Sequence, residues 1–202
     1  MMLNRIMNIL FKPNSEWQVI ASEQSSVGGI FGGYAIPLSL LQAVASIVAL
    51  GFLGIGAEIM EMSGVTVSMA DTAMRAVVGF ATGLVLLYVL AFIGSKIAPS
   101  FNGKADIVQS LKLFTYSSTP TWVLGALLPF FMTSMGLMIL VSLLSFASIG
   151  YAIYLIYAGA GPVLDIPQEK LAGFTVVVIA LYIGLGLIVF GITSTVQKMS
   201  LF

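Results

Sequence analysis

The sequence predicts an all-α, polytopic membrane protein with five transmembrane helices and an interfacial amino-terminal helix. Two observations predict this class. Of the 202 residues, 59% are hydrophobic and only 8% are charged, whereas soluble domains contain about 25% charged residues. The few charged residues also leave long uncharged runs, and about 20 apolar residues suffice for one spanning helix. A soluble fold of this composition would expose large apolar patches and aggregate.

Composition also narrows the possible functions. The chain contains no cysteine and no histidine, which removes disulfides, thiol nucleophiles, imidazole bases and the commonest transition-metal ligands. Its net charge is zero, so no basic field favours nucleic acid. Known hydrolase, metalloprotease and nucleotide-binding motifs are missing. We therefore expect no enzymatic activity, no cofactor, no metal and no nucleic-acid partner.

The first 26 residues predict amphipathic helices that lie on the cytoplasmic surface of the membrane. Asn4–Phe11 places apolar residues at helical spacing, and Pro13 then interrupts the helix. Ser15, followed by Gln18 three residues later, fits a capping box at the start of a second helix. We expect Trp17 to anchor this helix at the interface. The alternative is a short helix packed on the end of the bundle.

Residues 27–202 predict the membrane domain. The longest uncharged run, Leu113–Leu164, contains 52 residues and would measure about 78 Å as one helix, more than twice the hydrocarbon core. It must therefore fold back, and Pro129–Gly136 has the residues of a turn. The predicted spans are about 29–56, 74–97, 109–130, 136–158 and 171–195.

Basic residues predict the orientation of these spans, because lysine and arginine concentrate in cytoplasmic loops. Two of them, Arg75 and Lys198, fall on one side of the membrane. Six fall on the other side: Arg5, Lys12, Lys96, Lys104, Lys112 and Lys170. We therefore expect a cytoplasmic amino terminus in the cell membrane and a carboxyl terminus on the opposite side. The loop Glu58–Asp71 falls outside, where Asp71 and Arg75 either pair or end a solvated helix.

The densest polar cluster, KLFTYSSTPTW at residues 112–122, lies in the third predicted span. Lys112, Tyr116 and Pro120 share one helical face. Pro120 has no amide hydrogen, so the carbonyl of Tyr116 loses its helical donor, which costs several kcal/mol in hydrocarbon. Four nearby hydroxyls are expected to help satisfy the opened backbone: Ser117, Ser118, Thr119 and Thr121.

This cluster has two interpretations. In the first, a kinked helix lines a polar groove that binds or transports a small molecule, an ion or a lipid. The groove residues would be Lys112, Tyr116, Ser117, Thr119 and Pro120. In the second, the helix entry is frayed and Lys112 snorkels to the interface. A catalytic pair of Lys112 with Ser117 or Ser118 is disfavoured, because offsets of five and six residues do not align side chains well on one helix.

Glycines predict close helix contacts. Gly79 and Gly83 form a Gly-x-x-x-Gly motif in the second span, and glycines also crowd the start of the first span, at 28, 29, 32 and 33. Such faces allow helices to approach closely. They make protein partners or a homo-oligomer possible, in addition to the membrane lipids that surround the spans.

Four blocks of the sequence together resemble the Yip1 domain family, in its short, mostly prokaryotic branch. Residues 9–24 have the leucine, proline, tryptophan, isoleucine and glutamate of that branch, and 101–120 end in its tyrosine-small-small-x-proline pattern. The other two blocks are 32–48 and 154–174. The residues that carry the resemblance are Leu10, Pro13, Trp17, Ile20, Glu23, Tyr34, Pro37, Tyr154, Tyr157, Gly159, Pro167 and Lys170.

The resemblance implies a five-span topology with a cytoplasmic amino terminus. Eukaryotic members carry a longer amino-terminal region with an Asp-Leu-Tyr-Gly-Pro motif, and residues 1–26 contain no such motif. The association of those members with Rab-type GTPases is therefore not carried over. The resemblance implies fold and location more than activity. A second expected function is consequently a membrane scaffold that recruits protein partners or shapes the bilayer.

Overall fold

The computed structural model describes residues 2–62, 64 and 68–199, with the side chains of 190 and 192–199 left out. Every regular element within these residues is helical, which confirms the all-α class. Residues 63 and 65–67 of the predicted outer loop lie outside the described residues, as do 200–202 at the end of the predicted membrane domain. The side chain of Lys198, used in the orientation argument, is also among those left out.

Two short helices, α1 (Met2–Phe11) and α2 (Pro13–Ser22), form an amino-terminal hairpin. Pro13 is the first residue of α2, where its missing amide hydrogen costs nothing. The predicted capping box is wrong: Lys12 is the N-cap residue, and the hydroxyl of Ser15 donates to the carbonyl of Lys12. The proline starts the helix earlier than the box would, so Ser15 already lies inside the first turn.

The first apolar helix runs without interruption over Val27–Phe52. It contains α3 (Val27–Ile30) and α4 (Ile36–Ser46), joined by a π-helical segment at Phe31–Ala35. A second π-helical segment follows α4, at 47–52. Pro37 has no amide hydrogen, so the turn before it cannot keep the ordinary α-helical ladder; the amide of Ile36 donates five residues back.

The helix α5 (Ala57–Met62) leads to α6 (Met69–Ile97), which continues as a 3-10 turn to Phe101. Ser68 caps α6 by accepting a hydrogen bond from the amide of Asp71. The Asp71 carboxylate accepts a hydrogen bond of 2.7 Å from the same hydroxyl. No ion pair joins Asp71 to Arg75 in the described residues, and both side chains are exposed, so the structure agrees with the alternative of a solvated helix end.

The third predicted span is divided into α7 (Ile107–Ser117) and α8 (Thr119–Leu127), and α8 continues as a 3-10 turn to Phe131. Then follow α9 (Met135–Leu164) and α10 (Gln168–Met199). The predicted turn between the third and fourth spans is confirmed, since the chain leaves helical structure between Phe131 and Met135. The break at Ser118 leaves neither α7 nor α8 long enough to cross a bilayer alone.

Four helical segments of the described chain are long and apolar enough to cross a membrane: Val27–Phe52, Met69–Phe101, Met135–Leu164 and Gln168–Val189. Large apolar side chains on their outer faces are exposed, including Val85, Leu143 and Leu187. Such faces suit a hydrocarbon environment. The buried core instead lies toward one end of the bundle, where the amino-terminal hairpin packs on α7 and α9.

Two contacts mark the ends of the bundle. At one end, the amide of Lys104 donates a hydrogen bond of 2.7 Å to the carbonyl of Leu164. At the other end, Gly56 packs so closely on Met132 that a Cβ atom on the glycine would lie 3.0 Å from the Met132 carbonyl oxygen. The 30 residues of α9 separate these ends. The broken segment α7–α8 therefore runs antiparallel to α9 along most of its length.

Candidate functional site

The break between α7 and α8 is bridged by side-chain hydroxyls. The Thr119 hydroxyl donates a hydrogen bond of 2.7 Å to the carbonyl of Tyr116, the group that Pro120 leaves without its helical donor. This confirms the prediction for Thr119, whereas the predicted contribution of Ser117 is wrong, because its hydroxyl has no partner among the described residues. Two more hydroxyls donate to carbonyls of the same turn: Ser118 to Phe114 at 2.9 Å and Thr121 to Ser118 at 2.7 Å.

Tyr34 ties the first apolar helix to this break. Its hydroxyl lies 2.8 Å from that of Thr119. Because the single proton of Thr119 is directed to the carbonyl of Tyr116, Tyr34 must be the donor in this pair. The Tyr34 ring also meets the Tyr116 ring edge to face, with 4.7 Å between centroids. The π-helical segment of the first helix is thus held against the break.

Lys112 lies beneath the amino-terminal hairpin with 1% of its surface exposed. Its ammonium group donates to the carbonyl of Ile20, at 2.9 Å, and to that of Glu23. These carbonyls are at the carboxyl end of α2, where helical partners run out. The interpretation in which Lys112 snorkels to the interface is wrong, because α2 covers it. Lysine here caps another helix.

Charged side chains close the hairpin over Tyr116. Arg5 forms ion pairs with Glu16 and Glu23, and its guanidinium lies 5.5 Å from the centre of the Tyr116 ring, a cation–π distance. Burial disfavours the charged guanidinium, but the hydrogen bond and charge of Glu23, with the charge of Glu16, outweigh it and raise the pKa of Arg5. With Lys112, the cluster has two cations and two carboxylates and is electrically balanced.

Trp17 of α2 is fully buried against α9, so it does not anchor the helix at the membrane interface. It packs on Gly159, where an added Cβ atom would lie 2.6 Å from the indole ring and 2.8 Å from Leu113. The prediction of an anchoring tryptophan is wrong because Gly159 leaves room for the ring inside the bundle. The exposed face of α1 carries other apolar residues instead: Leu3, Met7 and Phe11.

The remaining residues singled out by the sequence lie elsewhere. Tyr154 and Tyr157 are exposed on α9, and Tyr154 stacks on Tyr151, which donates a hydrogen bond to the carbonyl of Leu10. Lys170 lies in the first turn of α10 and is partly exposed. The hairpin thus fills the place where the sequence predicted the mouth of a polar groove, over Lys112 and Tyr116. Thr119 and Pro120 are buried within the break.

A cavity of about 390 Å³, here called the break cavity, lies beside the break, between α7–α8, α9 and α10. Half of its lining residues are isoleucines of α9 and α10, and its polar lining residues are Ser117, Ser118, Thr121 and Tyr182. The hydroxyl oxygen of Ser117 is buried and has no hydrogen-bond partner in the described part of the chain. Sequence reasoning missed Tyr182, because one tyrosine in an apolar helix carries no local signal.

A second cavity, of about 520 Å³, is here called the outer groove. It lies between α4, α6 and α8, and Gly79 and Gly83 line it. A Cβ atom at either glycine would meet no atom within 4 Å. The expectation of close helix contact at this motif is therefore wrong within the chain, since the missing side chains open a groove. A Cβ atom on the glycines at 28, 32 and 33 would likewise meet no atom within 4 Å.

Comparison with known proteins gives one match. No curated protein and no solved structure matches the chain significantly. The model of the Yip1 domain family matches residues 7–191, which include the amino-terminal hairpin from the middle of α1, both halves of the broken helix and most of α10. The contacts of Trp17 with Gly159 and of Tyr34 with Thr119 therefore lie inside the matched region. The chain belongs to the Yip1 domain family.

Proposed function

We propose that this protein is a non-enzymatic, five-span membrane protein that binds the fatty acyl group of a lipid in the break cavity. The observation that carries this proposal is Ser117, which lines the cavity and whose buried hydroxyl has no partner among the residues that the structure describes. An unpartnered buried hydroxyl costs about 1–3 kcal/mol. A carbonyl oxygen of an acyl ester or fatty acid would accept its hydrogen bond.

The rest of the cavity suits the hydrocarbon part of the same ligand. Isoleucines from α9 and α10 form its walls, and its volume of about 390 Å³ is within the range of small-molecule sites, about 300–1,000 Å³. It opens between helices whose outer faces are apolar. Lipid is the ligand that surrounds such helices, so the choice of an acyl chain follows from location and lining together.

The five-span topology is supported by the position of the broken helix. Residues 107–131 are helical apart from Ser118 and measure about 37 Å, sufficient for a hydrocarbon core of about 30 Å. Their amino-terminal end lies at the carboxyl end of α9, because the amide of Lys104 donates to the carbonyl of Leu164, and their carboxyl end leads directly into α9 through the turn at 132–134. If α9 crosses the membrane, α7–α8 crosses it as well. The excess of lysine and arginine on the side of the amino terminus supports a cytoplasmic position for it.

A second candidate function is a membrane scaffold, and the exposed face of α1 favours it. Leu3, Met7 and Phe11 recur every four residues and so form one row, and 71% of the surface of both Leu3 and Phe11 is exposed. Such a row suits insertion at the membrane interface. In a Phe11→Trp variant, brominated lipids should quench the added fluorescence. Unquenched emission would contradict interfacial insertion.

The acyl-binding proposal is tested by filling the break cavity. Ala152 lines it on α9, and Ala147 is exposed on the same helix, one and a half turns away. Native mass spectrometry of the full chain with palmitate should detect one retained palmitate in the unsubstituted protein and in Ala147→Phe. Retention should fall about tenfold or more in Ala152→Phe, which occupies the space. Equal retention in the two variants would refute the proposal.

A further inference from the structure

We propose that the outer groove is a second ligand site, which binds the phosphate of an anionic phospholipid through Arg75. The groove and the break cavity share one lining residue, Thr121 of α8, and their other lining residues differ. Of the described residues that line it, Arg75 alone carries a charge. No carboxylate lies within ion-pair distance of Arg75 in the described residues, and Asp71, one turn away, is engaged by Ser68.

The depth of Arg75 fits a lipid head group. Arg75 and Lys96 lie on the same continuous helix, 21 residues apart, which corresponds to about 32 Å. The hydrocarbon core is about 30 Å thick, so the two cations mark its two boundaries. Arg75 therefore lies at the level of lipid phosphates, at the end of the bundle opposite to the amino-terminal hairpin. A guanidinium forms paired, charge-assisted hydrogen bonds with phosphate oxygens.

Below Arg75 the helix provides space for a lipid chain. Gly79 and Gly83 follow at intervals of four residues and so lie beneath Arg75 on nearly the same face. Both line the groove, and the space beside both is open. The groove thus has a cation at its rim and an open glycine trough running about 12 Å toward the membrane centre. A phospholipid has the matching arrangement, with its charged phosphate at the membrane surface and its acyl chains toward the membrane centre.

The opposite wall adds hydrogen-bond donors and rigidity. Gln42 of α4 lines the groove and packs on Gly125 of α8, where an added Cβ atom would lie 2.6 Å from the amide nitrogen. This close contact fixes the position of the Gln42 side chain. Its amide provides one neutral donor in the groove, and the hydroxyl of Thr72, three residues before Arg75 on α6, provides another beside the cation. Neutral donors beside one arginine favour a singly charged phosphodiester over a more highly charged anion.

The groove contains its own reporter, because Trp122 lines it. The chain has only one other tryptophan, and that residue, Trp17, is fully buried under the hairpin. The full chain is reconstituted in phosphatidylcholine vesicles that contain a small fraction of brominated lipid. Brominated phosphatidylglycerol should quench the emission with about tenfold higher apparent affinity than brominated phosphatidylcholine. The variant Trp122→Phe should lose this quenching, which identifies the reporter.

Three variants decide the proposal. Arg75→Gln should abolish the preference for the anionic lipid, and Lys96→Gln, which removes the cation at the other boundary, should retain it. Gly79→Leu, which fills the trough, should reduce quenching by both lipids. Preference that survives Arg75→Gln, or that falls equally in Lys96→Gln, would overturn the site.

A competition experiment identifies the source of the phosphate. Inorganic phosphate at millimolar concentration should leave the quenching unchanged, because the trough contributes to binding only a ligand with a chain. Relief of quenching by inorganic phosphate would contradict a lipid as the ligand and would identify a free anion instead. Palmitate binding in the break cavity should be unaffected by Arg75→Gln. A failure of the phospholipid site in the outer groove can therefore be distinguished from a failure of acyl binding in the break cavity.

Discussion

The hydroxyl of Thr119 donates a hydrogen bond of 2.7 Å to the carbonyl oxygen of Tyr116. A backbone amide would fill this place in an uninterrupted helix, but residue 120 is proline. The side chain thus replaces a main-chain donor at a site with no exposed surface on Thr119. The break between α7 and α8 is therefore fully bonded at this carbonyl, and it can shape a cavity without an unsatisfied backbone.

Replacement of Thr119 by valine should destabilise the protein. Thr119→Val keeps the shape but leaves the Tyr116 carbonyl and the Tyr34 hydroxyl without their partner, at a cost of about 1–3 kcal/mol. Thr119→Ser should restore most of the stability. Unfolding in detergent with increasing dodecyl sulfate measures the difference. The control is Thr133→Val in the exposed turn before α9; an equal change in both variants would contradict the role of the break.

Addition of a methyl group at Gly159 should displace Trp17. The Cβ atom of Gly159→Ala would lie 2.6 Å from the indole ring, and overpacking of this kind costs about 1–3 kcal/mol. The matched control is Gly150→Ala on the same helix, where nothing lies within 4 Å and alanine should stabilise the helix by up to about 1 kcal/mol. Tryptophan emission should shift to the red only in Gly159→Ala. Identical spectra would argue against the contact.

Loss of the Lys112 ammonium should loosen the amino-terminal hairpin. In Lys112→Met, the carbonyls of Ile20 and Glu23 lose a charged donor, and each such hydrogen bond contributes about 1.5–3 kcal/mol. Amide hydrogen exchange over α1 and α2 should accelerate about tenfold, while exchange in α9 changes little. Lys104→Met, at an exposed ion pair with Asp165, is the control. Unchanged exchange in α2 would mean that Lys112 does not hold the hairpin.

The absence of cysteine from the sequence makes the topology directly testable. Ser100→Cys and Thr133→Cys introduce exposed thiols at opposite ends of the broken helix. An impermeant maleimide added to intact cells should label Thr133→Cys and should label Ser100→Cys only after permeabilisation. Labelling of both thiols from the same side would show that α7–α8 does not cross the membrane, and the topology would then have four spans.

Features with a local cause could be predicted from the sequence. Uncharged runs located the apolar helices, and proline with its neighbouring hydroxyls predicted both the break near Pro120 and its repair by Thr119. Pairing and packing across the fold could not be predicted. The partners of Lys112 are backbone carbonyls about 90 positions earlier in the chain, and a carbonyl has no residue type that a sequence pattern could reveal.

The candidate site was therefore predicted only in part. Ser117 was selected from the sequence and lines the break cavity, but Tyr182 and the isoleucine walls carry no polar pattern. The glycine motif of α6 was expected to bring helices together, yet the structure opens a groove beside it. Absence of a side chain permits either outcome, and the choice depends on how the neighbouring helices α4 and α8 are placed. The predicted role of Trp17 as an interfacial anchor was wrong for the same reason, because the pocket that buries its ring exists only where Gly159 of α9 packs against α2.

Acyl binding beside the broken helix is tested most directly by protection of a single thiol. Ser118 lines the break cavity and is partly exposed, whereas Ser142 is exposed on α9 away from it. In purified full-length protein, palmitate should slow the alkylation of Ser118→Cys by N-ethylmaleimide about tenfold and leave Ser142→Cys unchanged. If palmitate leaves the rate at Ser118→Cys unchanged, or slows both thiols equally, the break cavity is not an acyl-binding site.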